Sequence, residues 1–131
     1  MAKPDGNVAV VSGAARGQGR SHAVELAAAG ASVIAPDICA DLEGDTYPPA
    51  RPEDLEETAR LIEKAGVRAR PTIVDVRERS AVRNAIAQGV QALGRLDIVV
   101  ADAGIAPMGK CQTIRSWSDT IDTDLVGVFQ R

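Results

Sequence analysis

Hydrophobic positions along the chain alternate between short β-branched runs and longer segments with helical spacing. Continuous apolar runs that are typical of buried parallel strands occur at 7–12, 32–35, 72–75 and 96–101. Helical spacing or helix-favouring composition predicts helices at 20–29, at 52–65, at 82–93 and from about residue 116 onward. Residues 38–51 contain Tyr47-Pro48-Pro49 and follow neither period, so we expect a long loop there.

This alternation of strands and helices predicts an α/β fold with right-handed crossovers and a parallel sheet covered by helices on both faces. In a doubly wound, Rossmann-type sheet the strands would lie in the order third, second, first, fourth. The fourth strand would then be an edge, with Val99 and Val100 open to pairing.

Composition narrows the class of protein. With 131 residues, 45% of them hydrophobic, we expect one domain over 1–131. No apolar run approaches the ~20 residues of a membrane span, and no signal peptide is evident, so we expect no membrane role and a cytoplasmic location. A net charge of −3 without a basic patch disfavours nucleic acid and favours a small-molecule ligand. Cys39 and Cys111 lack metal-type spacing and are expected to be free thiols.

A glycine-rich turn separates the first predicted strand from the first predicted helix. Gly13 permits a tight turn, Gly17 allows backbone to approach a pyrophosphate, and Gly19 permits close packing at the helix start. An ordinary loop is the alternative, but the strand–turn–helix context favours a phosphate-binding turn. Its predicted cofactor-binding residues are Ser12, Gly13, Arg16, Gly17, Gln18 and Gly19.

Asp37 follows the second predicted strand, where a carboxylate can accept hydrogen bonds from both hydroxyls of an adenosine ribose. The same carboxylate would repel the 2′-phosphate of NADP, so Asp37 and the adjacent Ile38 predict NAD as the cofactor. Arg16 argues in the opposite direction, because a guanidinium can pair with that phosphate. We give Asp37 more weight, because repulsion between its carboxylate and a 2′-phosphate costs more binding free energy than attraction to the mobile Arg16 side chain would contribute.

The spacing Gly13-x-x-x-Gly17-x-Gly19 resembles that of the short-chain dehydrogenase/reductase family. Asp75-Val76 resembles the family's adenine-binding pair, although a helix-start aspartate is the alternative. Asp102-Ala103-Gly104 resembles its Asn-Ala-Gly turn, which implies three further cofactor contacts. The segment 122–127 resembles its Asp-x-Asn-Leu-x-Gly helix and places Asp124 at the family's catalytic asparagine.

Within that family, residues 17–23, Asp37-Ile38-Cys39 and the long insertion that follows look most like the carveol-dehydrogenase branch, which is associated with the redox cofactor mycofactocin. That resemblance implies tightly held NAD, oxidation of a small alcohol or reduction of the matching ketone, and a homo-oligomer.

Three departures from the family pattern bear on activity. The family's serine and Tyr-x-x-x-Lys pair are missing, because the one tyrosine, Tyr47, has no lysine four residues on. Asp102 and Asp124 stand where asparagines are expected, and an ionised carboxylate cannot donate a hydrogen bond. We therefore expect residues 1–131 to be a nucleotide-binding portion without the catalytic half. A non-catalytic nucleotide-binding remnant is the alternative, and a Rossmann-type methyltransferase is a weaker one.

Two other side chains are expected to have no chemical role. His22 lies on the first predicted helix, where it would pack or face solvent. Trp117 would make a core contact on the face of the last helix, although that face would in part await further strands or a partner.

Overall fold

The structure, a computed structural model, describes residues 6–42, 47–109 and 113–129. Its four strands are β1 (Val8–Val11), β2 (Ser32–Asp37), β3 (Ala69–Ile73) and β4 (Ile98–Val100). The helices are α1 (Gly17–Ala28), α2 (Pro52–Lys64), α3 (Arg79–Leu93) and α4 (Ile114–Ile121). A π-helical turn (Asp122–Val126) follows α4 directly and leads into the short helix α5 (Gly127–Phe129).

All strand pairs are parallel, and the strand order is β3-β2-β1-β4, as the sequence predicts. Successive side chains of β2 point to opposite faces of the sheet. Val33 and Ala35 pack in a cluster with residues of α1 and α2, whereas Ile34 packs with Leu93 of α3. Helices therefore cover both faces, and the predicted α/β class and doubly wound sheet are confirmed.

The prediction of the third strand at 72–75 is wrong by several residues, since β3 spans Ala69–Ile73. β3 is an edge strand with three exposed positions, and it contains Pro71, which an edge tolerates because one side needs no N–H donors. The apolar signal at 72–75 came from Ile73, the last residue of the strand, and from Val74, which follows the strand and is buried.

The helix boundaries also differ from prediction. α1 begins at Gly17 rather than residue 20, because the glycines themselves form its first turn after an extended Arg16. α4 begins at Ile114 rather than near residue 116. Its N-cap is Thr113, whose hydroxyl accepts a hydrogen bond from the Ser116 N–H at 3.0 Å.

Trp117 does not make the expected core contact, since 63% of its surface is exposed. The helix wheel placed it on an apolar stripe, but among the described residues that stripe has no element packed over it. Exposed apolar side chains of β4, α4 and the segments that follow are Val99, Ile114, Trp117, Leu125, Val128 and Phe129. Nowhere in the described ranges is a helix both long and apolar enough to cross a membrane.

The two sheet edges differ in their capacity to pair with another chain. β3 carries Pro71, which lacks an N–H, whereas β4 has an exposed Val99 and no proline or charge within the strand. We predict that the 131-residue chain expressed alone self-associates or precipitates at micromolar concentration, through β4 and the apolar surface of α4. Sedimentation velocity with thermal unfolding is the measurement, and a monodisperse monomer with one cooperative transition would contradict it.

Two lysine substitutions, one on each edge strand, test which edge mediates self-association. Val99→Lys places a charge on β4 and should reduce self-association, whereas Ile73→Lys, at an equally exposed position on β3, should not.

Candidate functional site

The turn after β1 brings three backbone segments into contact. Gly13 has φ +68°, and a Cβ there would lie 2.8 Å from the Cα of Ala103, which follows β4. A Cβ on Gly19, in the first turn of α1, would overlap the carbonyl of Gly13. Only glycine fits these two positions, so the turn holds the start of α1 against the ends of β1 and β4. Gly17 has φ +58° and no atom near its missing side chain, so its backbone is open to a ligand.

Side-chain hydrogen bonds from α1 and α2 hold the carbonyl groups of this turn. The Thr58 hydroxyl on α2 lies 2.8 Å from the carbonyl oxygen of Ala14, and Arg20 donates to the carbonyl of Ala15 at 2.7 Å and to Thr58 at 2.9 Å. Neither Thr58 nor Arg20 stood out in the sequence, because a threonine on a helix face carries no signal of a distant partner. They fix the turn without lining the site.

A cavity of about 290 Å³ opens beside the turn, at the carboxyl ends of the strands. In open parallel sheets this edge is where ligands bind. The segments that surround the cavity are the glycine turn, the ends of β2, β3 and β4, the insertion after β2, and the π-helical turn. Its lining residues include Gly13, Arg16, Gly17, Asp37, Ile38, Tyr47, Asp75, Val76, Asp102, Ala103, Gly104 and Thr123.

Four of the predicted site residues do not line the cavity, and they are Ser12, Gln18, Gly19 and Asp124. The Ser12 hydroxyl is buried and accepts hydrogen bonds from the N–H groups of Asp102 and Ala103, at 3.2 and 3.1 Å. Ser12 therefore joins β1 to the turn after β4. Gln18 is exposed on the first turn of α1, and Gly19 is buried beneath it. The remaining predicted residues converge on the cavity.

Asp37 is a buried carboxylate at the end of β2. One oxygen accepts from the Ala15 N–H at 3.0 Å, and the other accepts from the Cys39 N–H at 2.9 Å. These bonds offset the cost of burying the charge, and each oxygen keeps a further lone pair for a ligand. Burial and the neighbouring Asp37 carboxylate raise the pKa of the Cys39 thiol to about 12, so Cys39 is an unreactive free thiol. Cys111 lies outside the described residues.

The insertion after β2 forms one wall of the cavity. The Tyr47 hydroxyl accepts a hydrogen bond from the Ala106 N–H at 3.1 Å, and its ring lies beneath the Arg16 guanidinium at 5.7 Å. Tyr47 thus connects the insertion to both the glycine turn and the segment after β4. As expected, Tyr47 lies in a loop; its part in the cavity wall had no signal in the sequence.

Asp75, at the end of β3, is held by Arg77. The guanidinium and backbone N–H of Arg77 make four contacts with the Asp75 carboxylate, between 2.6 and 3.0 Å. Burial alone would raise the pKa of Asp75, but these hydrogen bonds and the positive charge lower it overall. Arg77 also donates to the buried Asp119 of α4 at 2.9 Å, so this cluster joins α4 to the end of β3.

The two aspartates at the family's asparagine positions have different surroundings. Asp102 lines the cavity, and its carboxylate lies 3.8 Å from Nε2 of the half-exposed His22, a pair that the sequence did not predict. Asp124 lies in the π-helical turn, and its exposed carboxylate accepts a hydrogen bond from the Ile105 N–H at 2.8 Å.

The family model described as "short chain dehydrogenase" matches residues 7–131. An uncharacterized NAD-dependent oxidoreductase of Mycobacterium tuberculosis is 48% identical over 128 residues, which are 95% of this chain and 46% of the relative. The (−)-trans-carveol dehydrogenase of Rhodococcus erythropolis is 41% identical over 132 residues, which cover 98% of this chain and 48% of that protein.

A crystal structure of carveol dehydrogenase from Mycobacterium avium in complex with NAD superposes with a TM-score of 0.94 and 47% identity. The superposition covers 99% of this chain and 48% of that one. This chain therefore spans about half the length of the relatives it matches. The likeness to a short-chain dehydrogenase and to carveol dehydrogenases, inferred from the spaced motifs, is confirmed.

The cluster around Arg77 generates a stability prediction. Arg77→Met leaves Asp119 buried without its closest cation, and should lower the free energy of unfolding by about 2 to 4 kcal/mol at pH 7, since Arg77 is only partly exposed. The folded-state pKa of Asp75 lies below its unfolded value of about 3.9, so the Asp75 contribution is present above that pH and is lost as the pH falls through the folded value.

The measurement is urea unfolding of the unaltered chain and of Arg77→Met, each at pH 7 and at pH 3. The two chains should differ less in free energy of unfolding at pH 3 than at pH 7. Arg60→Met removes an arginine that pairs with Glu57 on the exposed face of α2 and should leave stability unchanged. Equal midpoints for the unaltered chain and the Arg77 variant at pH 7 would refute the role of the cluster.

Proposed function

Because the chain belongs to the short-chain dehydrogenase family, we propose that residues 1–131 form the NAD-binding portion of an oxidoreductase that acts on small alcohols or ketones. The observation that carries this proposal is the meeting of the glycine turn and the Asp37 carboxylate at one cavity. A phosphate-binding turn and a ribose-binding acid are the two groups that a dinucleotide needs there.

The residues present fit such a cofactor. Gly17 begins α1 with its backbone open, so a pyrophosphate would meet the free N–H groups and the positive dipole end of that helix. Asp37 would bind the adenosine ribose, and Ile38 and Val76 would pack against the base. Ala103 and Gly104, whose backbone lies opposite Gly13, would contact the rest of the dinucleotide.

Arg16 does not point against NAD. Its guanidinium lies 5.7 Å from the centre of the Tyr47 ring, and both residues line the cavity. The buried carboxylate of Asp37 supplies a fixed negative charge at the ribose position, which a 2′-phosphate would have to approach. Bound NAD would accept a hydride from an alcohol carbon.

Proton transfer from that alcohol is assigned to residues outside this sequence, because the family's Tyr-x-x-x-Lys pair is not among these 131 residues. Similarity to carveol dehydrogenases supports a secondary, terpenoid-like alcohol as the substrate class. We also propose that the exposed apolar side of α4 packs against further protein, either more of the same polypeptide or a second copy. A cytoplasmic location is part of the same proposal.

The first prediction from this proposal concerns cofactor choice. The unaltered chain should bind NAD more tightly than NADP, and Asp37→Ser should narrow or abolish that preference because the charge facing the 2′-position is lost. Competition titration by fluorescence measures both constants. Asp41→Asn removes an exposed charge of the same insertion, outside the cavity lining, and should leave the preference unchanged. Tighter binding of NADP by the unaltered chain would overturn the assignment.

The second prediction concerns activity. The 131-residue chain, with its mass verified, should bind NAD yet produce no NADH with any secondary alcohol, because the family's Tyr-x-x-x-Lys pair, which takes the hydroxyl proton, is not among these residues. Absorbance at the NADH band with a panel of cyclic and acyclic alcohols is the assay, and steady turnover would show that this assignment of the chemistry is wrong.

A further inference from the structure

The Asp102 carboxylate differs from the other two carboxylates at the cavity. Both oxygens of Asp37 accept backbone N–H groups, and the Asp75 carboxylate accepts from Arg77. Within the part of the chain that the structure describes, the Asp102 carboxylate accepts no hydrogen bond, and the cation beside it is His22, at 3.8 Å. The Asp102 side chain is only 22% exposed, so water screens its charge incompletely. Asp102 therefore brings to the cavity a negative charge that its surroundings offset only in part.

This carboxylate lies against the first turn of α1. A Cβ built on Gly19 would be 3.1 Å from Oδ2 of Asp102, so that oxygen lies beside the backbone of the turn. The open backbone of Gly17 begins the same turn, and the free N–H groups there form the positive end of the helix. The Asp102 charge is therefore next to the place where a pyrophosphate would bind.

Acidic side chains outnumber basic ones in the described lining of the cavity. Asp37, Asp75 and Asp102 are acidic, and Arg16 is the basic residue of that lining. A dinucleotide adds two phosphate groups, and like charges that are incompletely screened repel each other. Because Asp37 and Asp75 already have hydrogen-bond donors, Asp102 is the carboxylate whose charge acts most strongly on such a ligand.

His22 lies where its charge can offset that of Asp102. It belongs to the second turn of α1, is half-exposed, and is the one histidine among the 131 residues. Histidine is the side chain whose charge ordinarily changes between about pH 5 and pH 8. When His22 is protonated the pair is neutral, and when His22 is neutral the pair carries the full charge of Asp102. Other charged groups on the elements that meet here are Arg16 of the glycine turn, Glu25 of α1, Asp37 and Asp75 at the strand ends, and Asp124 of the π-helical turn.

We propose that the Asp102 carboxylate opposes binding of the pyrophosphate at the start of α1, and that protonation of His22 relieves this opposition. The pair then determines how strongly the cavity discriminates between ligands that carry a pyrophosphate and ligands that do not. The inference rests on the proposed function, since it requires that a dinucleotide occupies the cavity.

The first experiment removes the charge of Asp102 and keeps the shape of the side chain. Asp102→Asn should bind NAD and ADP-ribose about 3- to 10-fold more tightly than the unaltered chain does at pH 8, because the repulsion is lost. Adenosine has the base and the ribose without a phosphate and should bind both chains equally. Fluorescence titration in low-salt buffer measures the three dissociation constants. Added salt, at about 0.5 M, should reduce the gain for NAD and ADP-ribose.

The second experiment follows the charge of His22. The unaltered chain should bind NAD about 2- to 3-fold more tightly at pH 6 than at pH 8, because His22 gains its positive charge as the pH falls. NAD itself does not change charge between these two pH values. His22→Gln should lose this dependence. His22→Lys carries an ammonium group that stays charged over the range, so it should bind NAD at pH 8 as tightly as the unaltered chain does at pH 6.

Glu25→Gln is the matched control. It removes an exposed carboxylate from α1, three residues beyond His22 and outside the cavity lining, and should leave the affinity for all three ligands unchanged. This control separates a charge at the cavity from the net charge of the chain. Thermal unfolding without ligand shows whether each variant keeps its fold.

Unchanged affinity of Asp102→Asn for NAD would overturn the inference, as would an equal gain for adenosine. If Asp102→Asn loses its fold, His22→Lys decides, and unchanged affinity of that variant for NAD at pH 8 would likewise overturn it. A pH dependence that persists in His22→Gln would overturn the role of His22. Failure of the unaltered chain to bind NAD at either pH would instead refute the proposed function, and this inference would fall with it.

Discussion

The close approach of Gly13 to Ala103 is the constraint on which the rest of the site depends. Any side chain at Gly13 would separate the end of β1 from the segment after β4, and any side chain at Gly19 would push α1 away from Gly13. Because the backbones touch, α1 starts at the point where the strand order reverses. The helix dipole, the open Gly17 backbone and the cavity all take their positions from that contact.

Two carboxylates at the cavity, Asp37 and Asp75, are held in place before any ligand arrives. Asp37 is fixed by two N–H groups, one from the glycine turn and one from the start of the insertion, so the same carboxylate couples these two segments. Asp75 is fixed by Arg77, which also holds the buried Asp119. A site whose acids are already oriented spends less binding energy on ordering its own side chains when a ligand enters.

The parts of the fold that were predictable from sequence are those in which a local pattern and burial coincide. β1 and β2 are continuous apolar runs buried on both faces, and the glycine spacing has a direct steric cause at Gly13 and Gly19. β3 was misplaced because an edge strand needs no apolar face. The exposure of Trp117 was misjudged because helical spacing identifies a stripe without saying what covers it.

The site was predictable where one residue type performs one task, as Asp37 does. It was not predictable where the task depends on partners distant in sequence. Thr58 reaches the glycine turn across 44 positions, and Tyr47 bonds to Ala106 across 59. Arg77 lies two residues from its partner, yet the sequence does not show whether its guanidinium bonds to the Asp75 carboxylate or faces solvent. Each of these contacts is a product of the tertiary fold.

The π-helical turn has a consequence for how this segment tolerates change in length. The turn holds one residue more than an α-helical turn. The side chains after it therefore point about 100° away from the directions that an uninterrupted α-helix of the same sequence would give them. Deleting one residue from 122–126 would restore a regular helix in which Gly127 keeps its place against Val76, because the turn absorbs the extra residue. Deleting one residue from α4 would instead turn Gly127 away from Val76. A deletion of that kind in the insertion after β2 would shorten a loop without rotating any helix. Across a lineage of related chains, single-residue gaps should therefore be found in the insertion or in this turn and be absent from α4.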